Sequence, residues 1–137
     1  MVLLRLNKIM KIYYPYYYFF YRLVKVNDYL FPKYKDSSNF GIVNQIAILQ
    51  AFNIYSLELI CEINFDYELE NGHIFFMSLY FVLLSFNLII FLWKKRDKRI
   101  MVLFENESKS QRKKGIVFFW TYFIGTFILL LYVTSFV

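Results

Sequence analysis

A chain of 137 residues, 59% hydrophobic and 23% aromatic, with a mean hydropathy of +0.42 and a formal net charge of +6, has room for one domain at most. It also carries more apolar residues than the ~45–50% of a soluble domain, gathered in runs that a soluble core of this size does not bury. The cations sit beside those runs and are missing from one loop, which fits membrane anchoring and argues against nucleic acid; the single cysteine, Cys61, excludes an internal disulfide.

The chain opens with VLLRLNKIMKI over residues 2–12, where Arg5, Lys8 and Lys11 recur at every third position. No small-residue cleavage site follows, so this start reads as a retained segment. The run IYYPYYYFFY, residues 12–21, is too short to span, since crossing takes roughly 20 apolar residues. Tyrosine favours the headgroup level, where its ring is covered and its hydroxyl wet. With Arg22, Lys25, Lys33 and Lys35 behind it, residues 1–38 are expected to lie on the membrane surface, with Pro15 and Pro32 limiting any helix there.

Three spans are expected beyond Asp36-Ser37-Ser38-Asn39, a helix-start signal. The first, 41–63, is the most polar: at 100° per residue Asn44, Glu58 and Glu62 share one face, Gln45, Asn53 and Ser56 lie elsewhere, and Gln50 lies apart again. A helix polar on several sides is costly in lipid and needs neighbours or water. The segment 64–72 carries Asp66, Glu68 and Glu70, has no Lys or Arg, and ends on the turn signal Asn71-Gly72. The second span, 74–93, and the third, 116–137, contain no formal charge. Twenty residues at ~1.5 Å rise cover the ~30 Å hydrocarbon layer, and Trp93 sits at an interface. Between them lies a basic loop, 94–115, with nine basic residues and the acids Asp97, Glu105 and Glu107. The second helix is expected to run on to about Phe104, and Ser108 with Gln111 forms a capping box for the third.

The expected fold class is therefore an all-α membrane protein, a single membrane domain of three transmembrane helices plus an N-terminal interfacial segment, amphipathic and aromatic. The alternation of basic, acidic and basic segments places the N-terminus in the cytoplasm and the C-terminus outside.

Chemistry is harder to find. Glu58 and Glu62 stack at i,i+4, with Asp66, Glu68, Glu70 and His73 nearby. The acids near the loop read as a solvated face. Glu58 lies one turn deeper and needs a partner, for which His73 is the nearest candidate. Glu58, Asn53, Gln50 and His73 thus form a possible intramembrane polar site. Lys94, Lys95, Arg96, Lys98, Arg99, Arg112, Lys113 and Lys114 are possible contacts for lipid headgroups, beside plain topological anchoring. Thr121 and Gly125 form a small-xxx-small pair, and Ser78 and Ser85 mark a second packing face. No nucleophile–base pair, metal set, phosphate loop or cofactor motif stands out, so no enzyme and no cofactor are expected.

The basic aromatic start YYPYYYFFYRLVK, the polar first span and the stretch FENESKSQRKKG leading into an aromatic last span together resemble small multi-pass membrane proteins of unknown function found in Bacteroidota. The resemblance implies a bacterial inner membrane and transfers no functional residue. Two functions compete. One is a non-enzymatic interaction protein, an accessory subunit or an immunity-type protector, whose partners are membrane lipids and a second copy or another membrane protein. The alternative is a small oligomeric transporter or channel lined by Glu58, Asn53 and Gln50.

Overall fold

The computed structural model describes residues 14–35 and 39–136; the amphipathic stretch 2–12 lies outside them. The described chain is helical, in the order α1 (Tyr14–Leu30), α2 (Phe40–Phe65), α3 (Gly72–Leu92), α4 (Arg96–Phe104) and α5 (Lys109–Thr134). Short 3-10 turns cover Pro32–Tyr34 and Trp93–Lys95. Three helical stretches are long and apolar enough to cross a membrane: α2, Gly72–Phe104 (α3 and, past a kink, α4), and α5.

α2 is the middle of the bundle. α3 and α5 each pack along it, and among the described residues they do not pack on one another. This placement answers the cost of its polar faces. Asn44 accepts from the Tyr80 hydroxyl of α3. Asn53 donates to the Tyr122 hydroxyl at 2.9 Å and to Thr126 Oγ1 at 3.1 Å on α5. Gln45 exchanges two 3.1 Å hydrogen bonds with Asn27 of α1. Asn44, Gln45 and Asn53 thus each meet a different neighbouring helix.

α1 contains Pro15, the second described residue of the helix, and is followed by Pro32, where proline cannot continue it. The aromatic run, expected to lie at the membrane surface, packs against the other helices: residues Tyr17 to Val24 are all buried. Phe20 stacks on Phe91 of α3 at 4.6 Å, and Phe19 packs on Phe119 of α5 at 4.9 Å. Tyr14 and Tyr18 set their edges against Phe104 of α4. Helix α1 therefore caps the end of the bundle that carries the basic segments.

The basic stretch 94–115, expected as a loop, is mostly helix. The chain breaks after Leu92 because Lys94 and Lys95 both adopt left-handed backbone, with φ of 53° and 56°. That conformation costs about 1–2 kcal/mol per non-glycine residue, and it redirects the chain so that Ile100 and Phe104, one turn apart on α4, are buried in the core that α1 lines. The second helix, expected to run on to about Phe104, ends at Leu92, and it is the separate helix α4 that ends at Phe104. The third helix begins at Lys109, seven residues ahead of the expected 116. Its capping box is as read: Gln111 N–H donates to Ser108 Oγ and Ser108 N–H to Gln111 Oε1, both at 3.2 Å. At the opposite end, Asp66 and Asn71 take the left-handed positions that close α2 and open α3; both residue types tolerate that region locally.

Candidate functional site: a polar core, an ion-pair clamp and an open seam

The proposed intramembrane site does not assemble as one unit. Gln50, Asn53 and Glu58 turn to three different partners. Gln50 belongs to a closed ring of three hydrogen bonds: its Nε2 donates to the Tyr16 hydroxyl at 2.8 Å, Tyr16 donates to Asn87 Oδ1, and Asn87 Nδ2 donates to Gln50 Oε1 at 2.7 Å. Asn87 is 0% exposed and also donates to Leu83 O within α3. In hydrocarbon an unmade bond costs several kcal/mol, so a ring that closes on itself is the stable arrangement. Asn87 escaped the sequence analysis because the second span was judged on formal charge. The signal was there: it is the one amide in residues 74–93.

Glu58 does not pair with His73, which is exposed. Its Oε1 accepts from the Tyr67 hydroxyl at 2.6 Å, and Glu62 Oε1 accepts from Leu69 N–H at 2.7 Å. The two stacked acids thus fold the acidic loop back onto α2. The hydrogen bond to the Glu58 carboxylate pushes the Tyr67 phenol up to about 12. Among the described residues no group of three metal-ligating side chains comes together.

The second feature is an ion-pair clamp at the basic end. Arg22, only 6% exposed, pairs with Glu107 of the turn between α4 and α5. Arg22 Nε donates to the Tyr18 hydroxyl at 2.7 Å, and Tyr18 donates to Glu107 Oε2 at 2.8 Å. The guanidinium also lies 5.1 and 5.4 Å from the ring centroids of Tyr18 and Tyr21. Gly115 makes this possible, since a Cβ there would overlap the Tyr18 ring. Burial pushes the Tyr18 phenol up to about 12, with the Glu107 hydrogen bond adding to the rise and Arg22 opposing it. In sequence Arg22 looked like one more flanking cation; its i,i+4 spacing to Tyr18 was the available sign.

The clamp changes the electrostatics of the basic end. Glu107 is spent on Arg22, and Asp97 is half-buried and accepts from Asn39 at 2.9 Å. Lys94, Lys95, Lys98, Arg99, Arg112, Lys113 and Lys114 are exposed, whereas Arg96 is half-buried and donates to Ile90 O at 2.9 Å. Of the three acids in this region only Glu105 stays exposed among the cations.

The third feature is a seam on α2. Val43, Ala47, Gln50, Ile54, Leu57 and Cys61 follow one another at alternating spacings of four and three, so they share one face. Val43 and Ala47 are fully buried, and Gln50 is bound to Tyr16 of α1. Further along, Ile54 is 37% and Leu57 57% exposed. Thr121, Gly125, Ser78 and Ser85 are also exposed, so among the described residues they do not sit in a helix–helix contact.

A comparison of this chain with protein-family models, with curated proteins and with solved structures finds no match.

Proposed function

We propose that this protein is a non-enzymatic membrane interaction protein, an accessory subunit or an immunity-type protector, that receives a transmembrane helix of another membrane protein on the open half of the α2 seam. The observation that carries the reading is the uncovered continuation of that face, Ile54 and Leu57, with the half-buried Cys61 one turn further, beyond the half-buried Gln50. Lipid also covers such a face, but the Glu58 carboxylate beside it favours a neighbour that brings a donor. The channel alternative is weaker because Gln50, Asn53 and Glu58 are hydrogen-bonded to three separate elements and do not line one path.

Photocrosslinking tests the proposal. A photoreactive residue at Leu57 is expected to give a discrete protein adduct in the native membrane, and one at Ile89, exposed on α3, is not. Glu58→Gln retains an acceptor for Tyr67 and should keep the adduct; Glu58→Lys places a cation at the seam and should abolish it. An adduct at twice the chain mass identifies a second copy as the occupant. Absence of any adduct at Leu57, or ion flux from the reconstituted protein, overturns the proposal.

The proposed setting is a bacterial inner membrane, with the basic end in the cytoplasm. Reporter fusions after Gly72 and after Val137 are then expected to read outside, and fusions near Asn106 inside. A cytoplasmic C-terminus contradicts this orientation.

A further inference from the structure

A cleft of about 260 Å³ lies between α1, α2 and α5, walled by Tyr16, Phe19, Leu49, Gln50, Phe118 and Tyr122. It is smaller than the roughly 300–1,000 Å³ of small-molecule sites, so it suits part of one chain of an amphiphile and not a whole ligand. Its walls are mostly apolar, with Gln50 and the Tyr16 and Tyr122 hydroxyls as the polar groups. The exposed side chains of Pro15, Phe118 and Tyr122 form its rim. The Tyr122 hydroxyl accepts from Asn53, and among the described residues its own hydrogen meets no acceptor. On α5, Lys114, Phe118 and Tyr122 are successive i,i+4 neighbours, so an exposed lysine stands one helical turn, about 6 Å, toward the basic end from the cleft wall. Arg112 and Lys113 are exposed next to it, and the inward-turned Glu107 and Asp97 do not offset them.

We propose that this cleft seats an acyl chain of an anionic phospholipid, whose phosphate is held by Lys114. The apolar walls take the chain, and the lysine above them selects the headgroup charge. The site requires only that the bundle crosses a bilayer; it is independent of the seam on α2 and of which end faces the cytoplasm.

The test uses the full chain carrying Trp93→Phe, Trp120→Phe and Phe118→Trp, so that one tryptophan reports from the cleft wall. The protein is placed in nanodiscs with lipids brominated on the acyl chain. Brominated phosphatidylglycerol is expected to quench at about fivefold lower mole fraction than brominated phosphatidylcholine, the size of one lysine's attraction to an anionic surface. Lys114→Gln should bring the two curves together. Equal curves with Lys114 present overturn the proposal. So does a preference that survives Lys114→Gln, because the basic end as a whole is then the attractor. Native mass spectrometry of the unaltered chain gives an independent readout. Retention of phosphatidylglycerol over phosphatidylcholine supports the site; a lipid-free monomer or a lipid-free dimer overturns it.

Discussion

Glu107→Ala is expected to destabilise the protein by about 3–5 kcal/mol, the range for removing one partner of a buried ion pair. The loss leaves the Arg22 guanidinium buried without a counter-charge and the Tyr18 hydroxyl without its acceptor. Unfolding in detergent, followed by denaturant titration, measures the change. Partners at this depth are coupled, so the double variant Arg22→Met with Glu107→Leu should recover most of the stability, as apolar replacements of buried pairs often do. Tyr18→Phe removes a single hydrogen-bonding group and should cost about 1 kcal/mol. If Glu107→Ala and Tyr18→Phe cost the same, the ion pair is not the clamp that holds α1. A pH scan adds an independent check. The Tyr18 phenol titrates higher in the folded chain than its ordinary value of 10.0, so its contribution is intact below about pH 10 and is lost as pH climbs toward about 12.

Asn87→Leu is the second large effect. The substitution keeps size and adds apolar surface, which by hydropathy alone should favour a membrane helix. It is nevertheless expected to destabilise by about 1–3 kcal/mol, because the Tyr16 hydroxyl loses its acceptor and Gln50 Oε1 loses its donor inside the bundle. Interhelical hydrogen bonds in membranes average less than this; the closed ring and the complete burial of Asn87 place it at the upper end. Ser85→Ala on the same helix is the control. Ser85 is exposed and bonds only to Phe81 O of its own helix, so a change within about 0.5 kcal/mol is expected. Equal effects of the two substitutions would mean that the ring contributes nothing to stability.

The polarity of α2 connects these effects. A lone span with Asn44, Gln45, Gln50 and Asn53 would be costly in lipid. In this bundle α1, α3 and α5 each take one of its polar sides. The exposed Ile54 and Leu57 on one face, with Glu58 beside them, are what the proposed partner would meet. The small residues Thr121 and Gly125 on α5 offer a further close-approach surface on the lipid side.

Features governed by local physics were legible in the sequence. The uncharged runs identify spans because hydrocarbon thickness sets their length. Ser108 and Gln111 cap α5 because the bonds close within one turn. Pro32 follows the end of α1 because proline restricts the backbone wherever it stands. The several polar faces of α2 also announced that it needed neighbours. Which neighbours only the tertiary structure decided, since periodicity reports the direction of a side chain around its own axis and nothing about what lies opposite. Tyr16 meets Asn87 across 71 residues and Arg22 meets Glu107 across 85. The same limit applies to Lys94 and Lys95: their left-handed turn is disfavoured locally, and it exists because it carries Ile100 and Phe104 into the core that α1 lines.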